Sequence, residues 1–358
     1  MKALIADQKL VTELLPMEEA IDVMRRALTM LAEGDVVMPL RQMLVMPGGD
    51  RVMGLMPSYL GELEAVGVKV VAAFPANFGS EYDTHQGVVL FFDTERGLLR
   101  AIVDATSITA IRTAAVSGLV TDLLARPDAG DLAIIGAGTQ AHTHLQAMRA
   151  VRPLRRVRVF SVPAESAARF AERESRLTGL TVEVADTAEQ AVAGADLICT
   201  TTTASEPVVL GAWVSPGAHI NAVGAYTPMT RELDSELVAG ARLYADRRES
   251  LLSESGEFLI PKGEGLIGDE HIVGEIGEVL TGKAPGRTSR EQITLFKSLG
   301  IAIDPHPSQP AAALEHRDTR RTTRRGVARR SSSTVTGDSF RRDAMRIGRA
   351  LDKLQPLS

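Results

Sequence analysis

The sequence predicts an α/β protein built around a doubly wound parallel sheet. From residue 131 to residue 203, apolar strand-like segments alternate with helix-like segments, which is typical of a parallel sheet with helices on both faces. The first of them, LAIIGAG at residues 132–138, runs into a glycine turn that opens a helix. An α/β segment of about 125 residues precedes this turn. The parallel sheet is therefore expected to be inserted into a second domain.

Length and composition limit the class of protein. The 358 residues, 44% of them hydrophobic, are enough for two domains with cores of their own. No unbroken apolar run reaches the length of a membrane span, so no span is expected. The N-terminus lacks a signal-peptide pattern and the one cysteine, Cys199, excludes an intrachain disulfide, so a cytoplasmic location is expected. Aromatic residues make up 4%, which argues against a stacking platform for single-stranded nucleic acid.

The elements before the glycine turn form the start of the second domain. Apolar residues at helical spacing predict a helix over residues 17–33. Residues 66–77 and 87–93 are predicted strands, and residues 108–125 are a predicted helix. The alternation that begins at residue 131 continues to about residue 246, so the nucleotide-binding domain is expected at residues 125–290.

The last 54 residues differ in composition from the rest of the chain. Residues 305–358 contain eleven Arg and one Lys against five acidic residues, with many Pro and Ser, and only the final segment FRRDAMRIGRALDKL has the spacing of a basic amphipathic helix. This composition is typical of a disordered tail. Seven Arg between Arg317 and Arg330 would suffice for non-specific attachment to phosphates, but a solvated tail is the simpler interpretation, and nucleic acid is not an expected partner.

The glycine turn has the spacing GxGxxA, the fingerprint of a Rossmann dinucleotide site. Gly136 permits the tight turn, Gly138 lets the backbone approach a pyrophosphate, and Ala141 lets helix and strand pack closely. Thr139 and Gln140 begin the helix, where free N–H groups and the positive end of the dipole attract phosphate. These five residues are candidate cofactor ligands.

The second strand of the fingerprint predicts which ribose is bound. It ends near Phe160 and is followed by Ser161, with no acidic residue before Glu165. An acidic residue at this point would bind the free 2′-hydroxyl of NAD, and its absence favours NADP over NAD. Ser161 is a candidate ligand there, and Arg169 is either a second one or part of a solvated helix face.

A threonine-rich loop follows the strand DLICT at residues 196–200. Ligands of doubly wound sheets lie beyond the carboxyl ends of the strands. Thr200, Thr201 and Thr202 are therefore candidates for lining the cofactor cleft, although they could also be only a polar strand end.

Nine segments, taken in order over residues 1–304, resemble the ornithine cyclodeaminase/μ-crystallin family. They are MPLRQMLVMP, GLMPSYL, VGVKVV, ITAIRTAA, IIGAGTQA, GAHINAVGAYTPMTRELD, ESGEF, GEIGEVLTGKAPGR and TLFKSLGIA. The resemblance implies that residues 1–124 form part of a substrate-binding and dimerisation domain, to which the chain returns at residues 291–304. It also implies a homodimer, a nicotinamide cofactor and a small α-amino or α-imino acid substrate.

Three cations match the family's substrate positions: Arg41, Lys69 and Arg112. A substrate carboxylate requires fixed cations, and arginine offers a bidentate fork. Lys69 interrupts an apolar strand, where an ammonium group is costly unless it has a function or a partner. Lys69 is also the candidate catalytic residue, since it can donate a proton as hydride reaches carbon. For each cation a structural ion pair or a solvated head group is the alternative.

The resemblance adds four candidate cofactor ligands near the nicotinamide. Val223 and Gly224 belong to the VGA loop, and Lys297 and Ser298 to the segment FKSLG. A surface charge is the alternative for Lys297.

Two departures from the family pattern bear on the reaction. Cyclodeaminases carry a Glu just before the LMP element, where this chain has Gly54. They also carry an Asp directly after two glycines in the loop that corresponds to VGAYTP, where this chain has Tyr226. Without these carboxylates, the binding and deprotonation of a diamine are hard to explain. The resemblance therefore favours a ketimine reductase or alanine dehydrogenase over an ornithine cyclodeaminase or a non-catalytic NADPH-binding protein. Tyr226 either lines the substrate pocket or packs.

No metal site is expected. His142 and His144 are two residues apart on a predicted helix and point in different directions, and there is no Cys/His cluster. His85 is expected in a loop, with contact to the substrate as the alternative.

Overall fold

The computed structural model describes residues 3–39, 42–61, 64–77 and 80–300. Within these ranges the chain forms two β-sheets and ten α-helices. The strands are β1 (Leu4–Ala6), β2 (Val36–Val37), β3 (Gln42–Val45), β4 (Val52–Leu60), β5 (Ala65–Ala73), β6 (His85–Asp93), β7 (Leu99–Asp104), β8 (Asp131–Ile135), β9 (Arg156–Phe160), β10 (Val182–Val184), β11 (Leu197–Thr200), β12 (His219–Ala222), β13 (Arg242–Ala245), β14 (Ile272–Glu275) and β15 (Thr294–Lys297). The helices are α1 (Gln8–Leu14), α2 (Met17–Glu33), α3 (Ala105–Leu124), α4 (Thr139–Val151), α5 (Ala164–Thr178), α6 (Ala188–Val192), α7 (Ser235–Gly240), α8 (Arg248–Glu254), α9 (Gly256–Gly263) and α10 (Ile276–Leu280).

The first sheet has seven strands in the order β1-β7-β6-β5-β4-β2, with β3 also paired to β4. Its pairs are antiparallel except that β1 is parallel to β7. Strand β5 lies in the middle, and its Lys69 stands opposite Met56 on one side and Val89 on the other. Because β6 begins at His85, this histidine lies in a strand rather than in the expected loop.

The second sheet has eight parallel strands in the order β10-β9-β8-β11-β12-β15-β13-β14. The first strand of the fingerprint, β8, is central, and the chain winds outwards from it in both directions. This is the doubly wound arrangement, and the predicted fold class is confirmed.

One segment lies elsewhere than expected. Residues 294–297, assigned from the sequence to the substrate domain, form β15 between β12 and β13 of the second sheet. All four side chains of β15 are buried. The pairing of β15 with two strands that precede it by 50 residues or more is a long-range contact that local sequence pattern does not reveal. The boundary at residue 290 is therefore corrected: the nucleotide-binding sheet extends to Lys297.

Helix α3 connects the two domains. Asp104 caps it by accepting a hydrogen bond from Ser107 N at 2.7 Å, so the helix begins three residues earlier than predicted. Among the described helices it is the one long and apolar enough to cross a membrane, but 72% of that apolar stretch is buried within the protein. It packs against α2 and α4, and Ser117 Oγ lies 2.9 Å from His144 Nε2 on α4. Its burial is that of a core helix. The basic segment 305–358 lies outside the described residues.

Candidate active site

The glycine turn between β8 and α4 is held tightly by its neighbours. Gly136 has φ +108°, and a Cβ there would lie 2.7 Å from the carbonyl oxygen of Thr201. Its N–H donates to Phe160 O at 2.8 Å, which ties the turn to the end of β9. The chain itself therefore requires glycine at residue 136, for its conformation and for the close approach of the Thr201 loop.

Gly138 is different, because a Cβ at this position would meet nothing within 4 Å. Its φ is negative, so neither the conformation nor the packing requires glycine. Gly138 is also the N-cap of α4 and provides no side-chain cap for the N–H groups of the exposed first turn, where Thr139 lies. An open volume in front of uncapped N–H groups fits a phosphate group. Ala141 is fully buried, as expected for close packing of helix and strand.

The end of β9 carries the candidate ribose ligand. Ser161 is half-buried and Val162 is exposed, and no acidic side chain occurs before α5 begins at Ala164. Arg169 is exposed and donates to Ser166 Oγ at 3.1 Å. The first acidic side chain after β9 is that of Glu165, which is exposed in the first turn of α5.

The loops that follow β11 and β12 converge on the buried carboxylate of Glu232. Its Oε1 accepts from the N and Oγ1 of Thr202 at 2.7 and 2.8 Å. Its Oε2 accepts from Thr200 Oγ1 at 2.8 Å, Gly224 N at 2.7 Å and Ala225 N at 3.4 Å. Thr200 is fully buried with its hydroxyl turned inwards, so its side chain does not line the cleft as predicted. Thr201, Thr202 and Gly224 are half-buried.

Lys297 lies in an internal ion pair and not in the cleft. It is fully buried, its Nζ lies 3.3 Å from Glu257 Oε2, and it donates to the carbonyl of Ala225. Glu257 Oε1 in turn accepts from Glu232 N at 2.9 Å. The ammonium group of Lys297 is therefore enclosed by the protein and does not line the cleft as predicted. The alternative, that Lys297 is a surface charge, is wrong for the same reason.

Two further candidates near these loops are buried. Ser298 is 4% exposed and its N–H donates to Ala222 O at 3.0 Å, continuing the sheet. Val223 is 9% exposed and its N–H donates to Thr200 O at 3.0 Å. The side chains of Ser298 and Val223 are therefore buried, and their backbones extend the pairing of the parallel sheet.

Burial governs the ionisation of Glu232. Removal from water raises the pKa of its carboxyl group, and the charge of Glu257 acts in the same direction. The charge of Lys297 and the hydrogen bonds from Thr202 and Thr200 oppose that rise. Glu232 and Glu257 lie within the segments TRELD and ESGEF that carry the family resemblance, but no motif in the sequence indicates their role.

The candidate substrate cations lie on one face of α3 and the first sheet. Lys69 Nζ donates to Thr109 Oγ1 on α3 at 2.5 Å. Arg112 is three residues further along α3, so it lies on the same face of that helix. His85, exposed at the start of β6, has a pKa lowered by partial burial and by the charge of Lys69. The structure therefore groups Lys69 with Arg112 through one helix.

Arg112 also contacts the end of the described chain. A Cβ on Gly300 would lie 3.1 Å from both Nη atoms of Arg112, and Gly300 has φ +85°. Asp246 at the end of β13 accepts from Leu299 N at 2.9 Å and Gly300 N at 2.7 Å. Burial raises the pKa of Asp246, while these hydrogen bonds and the charge of Arg112 lower it. The nucleotide-binding sheet thus supports one side of the Arg112 site.

Neither position of the missing carboxylates offers a substitute. Gly54 in β4 is buried, and a Cβ there would lie 3.1 Å from Met43 Sδ and 3.4 Å from Val71 Cγ1, so a larger residue would require the Met43 side chain to shift. Tyr226 is 51% exposed in the loop after β12, which does not support a packing role. Arg41 lies outside the described residues.

The two histidines of α4 have separate partners. His142 Nδ1 lies 2.9 Å from Glu174 Oε1, whereas His144 Nδ1 lies 2.7 Å from Gln140 O. Among the described residues, no group of three or more His, Cys, Asp or Glu side chains is placed to hold a metal ion.

Comparison with known proteins decides the family. The model of the ornithine cyclodeaminase/mu-crystallin family matches residues 1–306. The chain belongs to this family. The resemblance stated from the nine segments is confirmed.

Three relatives show where the chain lies within the ornithine cyclodeaminase/mu-crystallin family. The ketimine reductase mu-crystallin of Mus musculus is 40% identical over 272 residues, which cover 76% of this chain and 83% of that protein. The Thermococcus litoralis Δ1-pyrroline-2-carboxylate reductase, solved with NADH and L-proline, has a TM-score of 0.80 and 38% identity, covering 83% of this chain and 92% of that chain. An archaeal alanine dehydrogenase dimer with bound NAD has a TM-score of 0.78 and 33% identity, and the match covers 84% of this chain and 91% of that chain.

Proposed function

We propose that this protein is an NAD(P)H-dependent reductase that transfers hydride to the C=N carbon of a small α-imino acid, such as a cyclic ketimine carboxylate. The observation that carries the proposal is the joint presence of two sites. An open phosphate cradle lies at Gly138, and the cations Lys69 and Arg112 share a face of α3, with no carboxylate at residue 54 or 226. Relatives named as reductases of cyclic imino acids and as alanine dehydrogenase support it.

The chain's own residues account for binding and proton transfer. Arg112 binds the substrate carboxylate through its guanidinium fork. Lys69, held by Thr109 at 2.5 Å, donates a proton from Nζ to the substrate nitrogen. The reduced nicotinamide, when bound, supplies the hydride. The C=N bond thus gains one hydride at carbon and one proton at nitrogen, and the product is an α-amino acid, which is cyclic in the case of proline.

For the cofactor, we propose NADP in preference to NAD. The support is the end of β9, where Ser161 offers a hydroxyl and no acidic residue occurs before Glu165 in the exposed first turn of α5. The two solved relatives carry NADH and NAD, so the preference is a property to be measured on this chain.

We also propose a cytoplasmic homodimer. The archaeal alanine dehydrogenase is a dimer. Apolar side chains of the first sheet are exposed in the single chain, among them Leu44 at 61%, Leu55 at 38% and Phe91 at 39%. Apolar side chains at this exposure fit a surface covered by a second copy.

The test measures oxidation of NADPH and NADH by the purified protein, with Δ1-pyrroline-2-carboxylate and with pyruvate plus ammonia or methylamine. A parallel assay follows the conversion of ornithine into proline and ammonia. Turnover with an imine and none with ornithine supports the proposal. Ornithine turnover would make the protein a cyclodeaminase, and NADPH binding without turnover of any of these compounds would indicate a binding protein.

A further inference from the structure

The carboxylate of Glu232 joins two neighbouring strand ends of the nucleotide-binding sheet. Its two oxygens accept hydrogen bonds from Thr200 and Thr202 at the end of β11 and from Gly224 and Ala225 after β12. The two loops are pressed together at this point, since a Cβ on Gly224 would overlap the carbonyl oxygen of Thr202. Removing one donor or one acceptor therefore affects both loops.

These loops follow the carboxyl ends of β11 and β12, where doubly wound sheets bind their ligands. Thr201 lies between Thr200 and Thr202 and abuts the glycine turn, because its carbonyl oxygen is 2.7 Å from where a Cβ on Gly136 would lie. Strands β8 to β10 form the half of the sheet that receives the adenine side, and β11, β12 and the strands beyond them form the other half. Glu232 thus fixes the loops that belong to the nicotinamide side of the cleft.

A carboxylate is the group that suits this position. Three backbone N–H groups and two hydroxyls point at two oxygens, so every contact requires an acceptor. A glutamine has only one acceptor oxygen, and its NH2 group would face an N–H of Thr202 or Gly224. The loop on that side would have to move to avoid two donors facing each other in a buried place.

We propose that Glu232 is a positioning residue for the nicotinamide half of the cofactor, acting through the backbones of Thr201, Thr202 and Gly224. It does not contact the cofactor, because its side chain is enclosed by these loops. The inference rests on the proposed function in one respect, namely that the cofactor is a nicotinamide dinucleotide.

The test compares two ligands in the absence of substrate. NADPH spans both halves of the cleft, whereas adenosine 2′,5′-bisphosphate fills only the adenine half. In Glu232→Gln, the affinity for NADPH is expected to fall about tenfold, and that for adenosine 2′,5′-bisphosphate less than about twofold. Fluorescence titration and calorimetry measure the two affinities. An equal loss for both ligands, or no loss for either, would overturn the proposal.

A milder variant keeps the test decisive if Glu232→Gln does not fold. Thr200→Val has nearly the same shape and removes one hydroxyl donor while leaving the carboxylate in place. It is expected to weaken NADPH binding about threefold without changing adenosine 2′,5′-bisphosphate binding, and unchanged NADPH binding would contradict the proposal. Both affinities are measured without imine reduction. If the wild type reduces no imine but the variants still lose affinity for NADPH alone, only the proposed function is defeated. A wild-type protein that binds no nicotinamide dinucleotide defeats both.

Discussion

Lys69 on β5 donates a hydrogen bond to Thr109 on α3, with 2.5 Å between Nζ and Oγ1. Thr109 Oγ1 in turn donates to Ala105 O at 2.6 Å, so its lone pairs are available to the ammonium group. This pair fixes the candidate proton donor against the helix that carries Arg112. The proposed reaction therefore depends on the contact between the first sheet and α3.

Replacing Lys69 should abolish chemistry without affecting the cofactor. Lys69→Met keeps the length of the side chain and removes the proton, so kcat for imine reduction should fall at least about a hundredfold. NADPH affinity, measured by fluorescence, should stay within twofold. The matched control is Thr109→Val, which leaves the ammonium group in place and should lower kcat by about tenfold or less. Activity of Lys69→Met close to that of the wild type would exclude Lys69 as the proton donor.

Arg112 should determine the affinity for the substrate carboxylate. Arg112→Lys keeps the charge but loses the bidentate fork, and KM for Δ1-pyrroline-2-carboxylate should rise about tenfold or more, which corresponds to the loss of one charged hydrogen bond. Steady-state kinetics at saturating NADPH measure this effect. KM for NADPH is the internal control and should not change. A change confined to KM for NADPH would place Arg112 in the cofactor site instead.

Substitution of the two glycines of the turn should affect different properties of the protein, namely its stability at Gly136 and its NADPH affinity at Gly138. Gly136→Ala introduces a Cβ at φ +108° and 2.7 Å from Thr201 O, so it should lower the melting temperature by several degrees. Gly138→Ala adds a methyl group in open space and should leave the melting temperature of the free protein unchanged, while NADPH affinity falls about tenfold. Calorimetric melts and NADPH titrations on both variants separate the two effects. Unimpaired NADPH binding by Gly138→Ala would show that the pyrophosphate does not approach this residue.

The cofactor preference should reverse at Ser161. Ser161→Asp places a carboxylate after β9, where it can accept from a free 2′-hydroxyl and repels a 2′-phosphate. The ratio of kcat/KM for NADPH to that for NADH should fall about a hundredfold, whereas Ser161→Ala should reduce it about tenfold or less. An unchanged ratio in both variants would show that the ribose does not lie against Ser161.

His144 should make the folded protein sensitive to acid. Complete burial lowers the pKa of His144 to about 4 from an ordinary value of 6.5, and its hydrogen bond to Gln140 O only partly opposes this shift. The unfolded chain then takes up a proton below pH 6.5 that the folded chain accepts only below about pH 4. The corresponding stability is present above pH 6.5 and is lost as the pH falls, by about 2 kcal/mol between pH 7 and pH 5.

Urea unfolding of the wild type and of His144→Gln at the two pH values measures this contribution. The free energy of unfolding of the variant should depend less steeply on pH by about that amount. Equal slopes for the two proteins would show that His144 becomes protonated in the folded state as readily as in the unfolded chain.

Local pattern was enough to predict the fold class and the glycine turn. The fingerprint residues Gly136, Gly138 and Ala141 occupy the places that their spacing indicated, because strand, turn and helix are contiguous in the sequence. Lys69 lies in a central strand, as its apolar surroundings suggested.

What could not be predicted depends on long-range contacts. Lys297 follows three residues of a buried strand, but only the three-dimensional structure shows that Glu257 and Ala225 enclose its ammonium group. The inward turn of Thr200 depends in the same way on Glu232, which is 32 residues distant in the chain. No periodicity or motif identifies such partners, although TRELD and ESGEF already marked the segments that supply the two carboxylates.

The central claim is that hydride moves from the cofactor to the imine carbon, and isotopic labelling tests it most directly. The protein is incubated with Δ1-pyrroline-2-carboxylate and NADPH deuterated at C4 of the nicotinamide, in ordinary water, once with each stereoisomer of the label. With one stereoisomer, the proline formed should carry a single deuterium at its α-carbon, as measured by proton NMR and mass spectrometry. Formation of unlabelled proline with both stereoisomers would contradict this claim. It would also be contradicted if the protein formed no proline from this imine but converted ornithine into proline without incorporating deuterium.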